Sequence, residues 1–177
     1  MLPASLAALS RCAAPALLLG LAAACATVPP LPQLQSAPAA FETTGRLAVR
    51  QAQRSDIAKV RWTHRDGHDV WVIASPLGNE VARIESNADG AVLSTGGSAQ
   101  AADSFDDLTE KILGVPLNPR MLAAWLHGDL RETPPQWHVT IDETQKAGDV
   151  ELARRLSAVR GETSVRLVVD EYQPLQE

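Results

Sequence analysis

The sequence predicts a mainly β domain with two short α-helices inserted between an antiparallel meander and a final set of strands. Apolar and polar residues alternate with a period of two over most of residues 41–95 and again after residue 136. That period is typical of half-buried strands. Between the two stretches the apolar spacing becomes helical, behind the capping residues Ser104 and Asn118. No internal repeat is visible.

The first three strands form the best-defined part of the prediction. The first begins at Phe41, and the second and third cover residues 57–64 and 69–75 around Asp66-Gly67. This dipeptide is typical of a type I′ two-residue hairpin loop. Such a loop places Trp62 opposite Trp71 and Val60 opposite Ile73, all on one face. A loop longer by one residue would turn the third strand over and break this assignment.

The two helices are predicted from their end signals. Ser104 is an N-cap and Gly114 a C-terminal stop, which bounds the first helix. Asn118 followed by Pro119 at the first helical position opens the second helix, and Gly128 ends it. Their apolar residues are Phe105, Leu108, Ile112, Leu113, Met121, Leu122, Trp125 and Leu126.

Further strands are predicted on both sides of the helices. The last two form a hairpin about Gly161-Glu162, which puts Val165, Leu167 and Val169 on one face. These two strands cover residues 156–160 and 164–172, and the other predicted strands cover residues 81–85, 91–95 and 137–141.

The N-terminus carries export signals. Arg11 precedes an apolar run over residues 13–24, which is too short to span a bilayer and has the pattern of a secretory signal peptide. Cys25 directly follows small residues, as in the lipobox of a bacterial lipoprotein. We therefore expect a signal peptide over residues 1–24 and lipidation of Cys25. An ordinary secretory signal cut near Ala24 is the alternative.

Residues 25–40 are predicted to be the lipidated Cys and an extended tether, because the stretch is rich in Pro and uncharged. The folded domain is then expected over residues 41–177. Cys12 would leave with the signal peptide and Cys25 would carry lipid, so no disulfide is expected.

The charge balance and the motifs exclude several function classes. The chain carries 16 Lys+Arg against 21 Asp+Glu, without a basic run, which argues against a nucleic-acid partner. No nucleophile elbow or phosphate loop is present, so neither an enzyme nor a cofactor is predicted. His64 and His68 flank the hairpin turn, where we expect them in water rather than on a metal.

Several local patterns in order give a resemblance that covers residues 25–172. With the lipobox, the chain resembles the LolB family of outer-membrane lipoprotein receptors, which end the Gram-negative lipoprotein-localisation pathway. The patterns are Gly45-Arg46-Leu47-Ala48-Val49, Trp62, Ser75-Pro76-Leu77-Gly78, Leu113-Gly114-Val115-Pro116-Leu117, Leu122, Trp125-Leu126-His127-Gly128 and Arg166-Leu167-Val168-Val169-Asp170-Glu171-Tyr172.

The resemblance implies an unclosed antiparallel β-barrel with a lid of short helices over an apolar cavity. It also implies that a monomer receives triacylated lipoproteins from a soluble periplasmic carrier of similar fold and places them in outer-membrane lipid. Leu77 would lie in the loop that acts in membrane delivery. Ala26 after the acylated Cys would permit sorting to the outer membrane, where the protein would be lipid-anchored on the periplasmic face.

The hairpin register and the apolar faces of the two helices together predict which residues line an acyl cavity. A simple filled core is the alternative for the same apolar face. A structural or assembly lipoprotein without such a cavity is the competing function, and a periplasmic hydrolase is a third. The cavity candidates are Val60, Trp62, Trp71, Ile73, Leu108, Ile112, Leu122 and Trp125.

Overall fold

The computed structural model describes residues 38–176. The predicted signal peptide, Cys25 and the tether up to residue 37 lie outside the described residues. The described part contains nine strands and two helices. In chain order they are β1 (Ala40–Gln51), β2 (Arg54–Arg65), β3 (His68–Ala74), β4 (Glu80–Asn87), β5 (Gly90–Thr95), β6 (Ser98–Ala102), α1 (Phe105–Leu113), α2 (Pro119–Leu126), β7 (His138–Ala147), β8 (Val150–Arg160) and β9 (Thr163–Pro174).

All nine strands belong to one antiparallel sheet, in the order β6-β5-β4-β3-β2-β1-β9-β8-β7. Between residues 38 and 176, β6 and β7 each have only one neighbouring strand, so the sheet does not close. The chain passes from one edge to the other through the two helices, α1 against β5 and β6 and α2 against β8. The prediction of an unclosed antiparallel barrel with short helices is confirmed.

The hairpin register at Asp66-Gly67 is confirmed pair by pair. Trp62 lies opposite Trp71 and Val60 opposite Ile73. Gly67 has a φ of 72°, as the tight loop requires. This register decides the inner face of β2 and β3, because alternate residues of a strand point to opposite sides.

Gly45 lies where β1 and β9 approach each other closely. The pairing of β1 with β9 shifts between Thr44 and Gly45, which marks a β-bulge. A Cβ built on Gly45 would lie 2.1 Å from the carbonyl oxygen of Val168. Any other residue would have to push β9 away, so the close pairing of β1 with β9 at this point depends on the glycine.

The predicted helix ends are confirmed. The Ser104 side chain accepts a hydrogen bond from the Asp107 N–H, and Gly114 ends α1 with a φ of 68°. The Asn118 side chain accepts from the N–H groups of Arg120 and Met121. These caps satisfy backbone donors that have no partner within the helix.

Three elements differ from the prediction. β6 was not expected, because its mostly exposed residues show no apolar alternation. The Gly96-Gly97 dipeptide before it does suit a two-residue hairpin loop. β7 runs on to Ala147, and β8 begins at Val150 rather than at residue 156. Burial still alternates along all of β7, but Glu143 and Gln145 occupy the half-buried positions after Ile141. The apolar alternation therefore stops before the strand does.

Candidate functional site

An apolar cavity of about 280 Å³ lies between the inner face of β1–β5 and the helices. Nearly all of its lining side chains are apolar, with Asp56 and Thr109 as the exceptions. The hydroxyl of Thr109 is used within the protein, since Oγ1 donates to Asp106 O at 3.0 Å and accepts from Leu117 N at 2.9 Å. The cavity therefore suits hydrocarbon rather than a polar molecule.

Five of the eight predicted cavity residues are brought together around this space. They come from β2, β3 and both helices. The five are Val60, Trp71, Ile73, Ile112 and Leu122.

Trp62, Leu108 and Trp125 do not line the cavity, because they are buried in the packed core behind it. Trp62 stacks on Trp71 with ring centroids 4.6 Å apart, and of the two only Trp71 lines the cavity. Trp125 donates from Nε1 to Thr133 Oγ1 at 2.9 Å. The apolar face is thus part filled core and part hollow.

The prediction missed wall residues on β4, β5 and α1. Ile84 lies opposite Leu93, and Phe105 opens α1 beside them. The pairing of Ile84 with Leu93 follows from the two-residue turn between Asn87 and Gly90. The turn itself holds Ala88 and Asp89, whereas a loop centred on the Asp89-Gly90 signal would have paired Ile84 with Thr95. The register was therefore not available from that signal.

The segment between β3 and β4 forms a tight turn that carries Leu77. The N–H of Gly78 donates to Ser75 O and the N–H of Ser75 to Asn79 O, both at 2.9 Å. Gly78 has a φ of 92°, a conformation that L side chains rarely adopt. Leu77 is 89 % exposed, so it does not pack back onto the barrel rim.

At the other end of β2, a buried polar group corrects the expectation for His64. The residue is buried, with Nδ1 2.7 Å from Asp69 Oδ1, which also accepts from Trp62 Nε1 at 2.7 Å. His64 lies two residues after Trp62 and so points to the same inner face of β2. Its place next to the turn led to the expectation of exposure. The expectation that it lies in water is wrong, whereas His68 is exposed.

A second hollow of about 470 Å³ lies near this end, beside His64 and His127. Its walls include charged side chains of Arg120, Asp129 and Arg131. Charged walls disfavour hydrocarbon, so this hollow is not a candidate for acyl chains. Within residues 38–176 there is no group of three or more His, Cys, Asp or Glu placed to hold a metal ion. Over the same range, no helix is long and apolar enough to cross a bilayer.

Comparisons with known proteins agree with this architecture. The family model described as "Outer membrane lipoprotein LolB" matches residues 39–135, more than half of the chain. The chain belongs to the LolB family. It is 34 % identical to the outer-membrane lipoprotein LolB of Thiobacillus denitrificans, over 84 % of this chain and 90 % of that protein. The LolB of Chromobacterium violaceum is 30 % identical, over 81 % of this chain and 87 % of that one.

Solved structures show the same fold at low identity. A DUF1329 family protein from Desulfovibrio piger superposes with a TM-score of 0.55 at 5 % identity, over 77 % of this chain and 86 % of that one. Membership of the LolB family makes the protein a lipid-anchored lipoprotein of the outer membrane that functions in lipoprotein localisation. The relatives are named as lipoproteins and not as enzymes.

Proposed function

We propose that the protein receives triacylated lipoproteins from a soluble periplasmic carrier and inserts them into the outer membrane without nucleotide hydrolysis. The observation that carries the proposal is the apolar cavity beneath the helices, with an exposed Leu77 on a turn of the same sheet. Moving bare acyl chains through water costs about 0.8 kcal/mol for each CH₂. A receptor therefore needs an apolar space to hold them and a contact with the membrane that releases them.

The size of the cavity adds a condition. Pockets that hold drug-sized ligands measure about 300–1,000 Å³, and this one measures about 280 Å³. Three acyl chains therefore require the helices to move off the sheet. This movement would displace Ile112 and Leu122, which line the cavity from the helix side.

Trp71 also brings a hydrogen-bond donor to the cavity wall. Its Nε1–H is buried and has no hydrogen-bond partner among the described residues. A buried donor without an acceptor is costly and calls for an explanation. The ester and amide carbonyls of an acylated Cys are acceptors at the head of the apolar chains, and we assign Trp71 as their donor.

Leu77 is the proposed membrane contact. Burial of one Leu side chain in the acyl–headgroup boundary gains roughly 1.5–3 kcal/mol. That free energy suits a transient contact rather than a second anchor. Cys25 supplies the lasting attachment in this proposal, and the carrier and the client are the protein partners.

The test is a transfer experiment. A soluble Cys25→Ala form is incubated with a purified carrier–lipoprotein complex, and the protein that holds the client afterwards is identified by affinity capture. We expect the client on this protein. A client that stays on the carrier would contradict the proposal. Binding of a fluorescent fatty acid separates it from the competing function, since a structural lipoprotein without an acyl site would not bind the probe.

A further inference from the structure

The exposed apolar side chains of the sheet are not scattered evenly. The large exposed hydrophobic residues include Leu77, Ile57 at 70 % and Val81 at 49 % exposure. All three lie at one end of the sheet, around the Ser75–Gly78 turn. Exposed large apolar residues gathered in one part of a surface are typical of an interaction site.

The strand register places Ile57 beside this turn. Lys59 pairs with Ala74, the last residue of β3. Ile57 lies two residues before Lys59 in β2, level with the start of the turn. Nζ of Lys59 donates to the carbonyl oxygen of Pro76 at 3.0 Å, which ties the turn to β2.

Val81 lies on the other side of the turn. Ala82 and Ile84 of β4 line the cavity, so the alternation along the strand puts Val81 on the outer face. It is the second residue of β4, directly after the turn. The three side chains thus surround the turn from β2, from its tip and from β4, and we call them the rim patch.

The charges around the rim patch are mostly cationic. The carboxylates next to Ile57 and Val81 in the chain are each paired with an arginine: Asp56 with Arg54 at 2.7 Å and Glu80 with Arg83 at 3.0 Å. Lys59 and Arg61 lie on the outer face of β2 and are exposed. An apolar patch with adjacent cations is the composition that binds the interface of an anionic bilayer.

The rim patch also adjoins the cavity. Asp56 and Ile57 border the cavity and are themselves exposed, so the cavity reaches the protein surface here. Resting on the proposed function, we propose that Ile57, Leu77 and Val81 together form one membrane-docking surface. Ile57 and Val81 hold the cavity opening against the phospholipid surface while Leu77 inserts, and Lys59 contacts lipid phosphate.

The experiment measures partitioning of the soluble Cys25→Ala form onto vesicles of phosphatidylethanolamine and phosphatidylglycerol by co-sedimentation. Ile57→Ser and Val81→Ser should each weaken partitioning about tenfold, since each loses an apolar side chain from the interface. Val92→Ser and Val159→Ser are matched controls, because these valines are each 41 % exposed but lie on β5 and β8. They should partition like the parent protein.

Lys59→Gln tests the charge. It should weaken binding to the anionic vesicles at low salt but not to vesicles of phosphatidylcholine, whereas Lys146→Gln on β7 should change neither. Unchanged partitioning of both Ile57→Ser and Val81→Ser would overturn the rim patch while leaving the proposed function intact. Normal partitioning with reduced capture from the carrier complex would likewise overturn it, and would assign the patch to the carrier. Fatty-acid probe binding by Val81→Ser, a residue outside the cavity wall, reports separately on the proposed function.

Discussion

Tyr172 Oη lies 2.7 Å from His127 Nε2, and this contact joins the end of α2 to β9. Nδ1 of His127 lies 2.7 Å from the carbonyl oxygen of Ala123, which can only accept, so Nδ1 carries the proton. Nε2 of the neutral ring then accepts from the Tyr172 hydroxyl. Phe41 packs against both rings, at 5.2 and 5.3 Å between centroids. Burial lowers the pKa of His127 and raises the pKa of Tyr172.

This pair predicts a loss of stability in mild acid. Because the pKa of His127 is lower in the folded protein than its ordinary 6.5, the unfolded chain binds the proton more readily. The free energy of unfolding should therefore fall as the pH drops below about 6.5. His127→Gln should flatten this fall in melting temperature between pH 7.5 and 5, at a cost of about 1–2 kcal/mol at pH 7.5 for the altered hydrogen bonds. His68→Gln, at an exposed site, should keep the parent slope; an equally steep fall in His127→Gln would exclude His127 as the cause.

Val60 tests the cavity. Val60→Glu places a carboxylate on an apolar wall, where an unpaired charge is costly to bury. We expect the affinity for a fluorescent fatty acid to fall at least about tenfold, which corresponds to roughly 1.4 kcal/mol. Val92→Glu on the exposed part of β5 is the control for the added charge. A folded Val60→Glu protein with parent affinity would remove Val60 from the site.

Leu77 tests delivery separately from acceptance. Leu77→Glu should leave the melting temperature within about 2 °C of the parent, because a side chain this exposed contributes little to packing. Capture of clients from the carrier should persist, while transfer into outer-membrane vesicles falls sharply. Leu77→Ile, which keeps the apolar surface, should restore most of the transfer. Transfer at the parent rate in a stable Leu77→Glu protein would show that the turn plays no part.

Cys25 tests whether lipid does more than anchor. Cys25→Ala behind a cleavable export signal should give a soluble periplasmic protein whose domain folds normally, because β1 begins only at Ala40. It should still accept clients from the carrier, with less efficient delivery to the membrane. The readouts are fractionation and client capture. Failure to accept clients in a well-folded soluble form would show that the acyl chains take part in acceptance.

Trp71 tests the proposed carbonyl contact. The parent protein should bind a lipopeptide with ester-linked chains about threefold to tenfold more tightly than its ether-linked analogue, which lacks those carbonyls. Trp71→Phe keeps an aromatic ring beside Trp62 but removes the N–H, so the preference for ester should disappear. Comparison of the two ligands on one protein cancels any change in packing. A preference that survives in Trp71→Phe would assign the carbonyls to another donor.

Local sequence determined the hairpins and the helix ends. Asp66-Gly67 fixed the β2–β3 register, and Ser104, Gly114 and Asn118 fixed helix boundaries, because each signal acts through hydrogen bonds and φ angles within a few residues. β6 and the part of β7 after Ile141 were not predicted. Their pairing is stabilised by neighbouring strands rather than by an apolar pattern of their own.

The division between core and cavity was decided only by the tertiary structure. Trp62 and Trp71 share one face and one register, yet Trp62 is packed in the core and Trp71 lines the hollow, because the coiling of the sheet and the position of the helices set the depth of each ring. The burial of His64 has the same origin. Strand alternation tells which side a residue faces, but what lies on that side depends on chain segments distant in sequence.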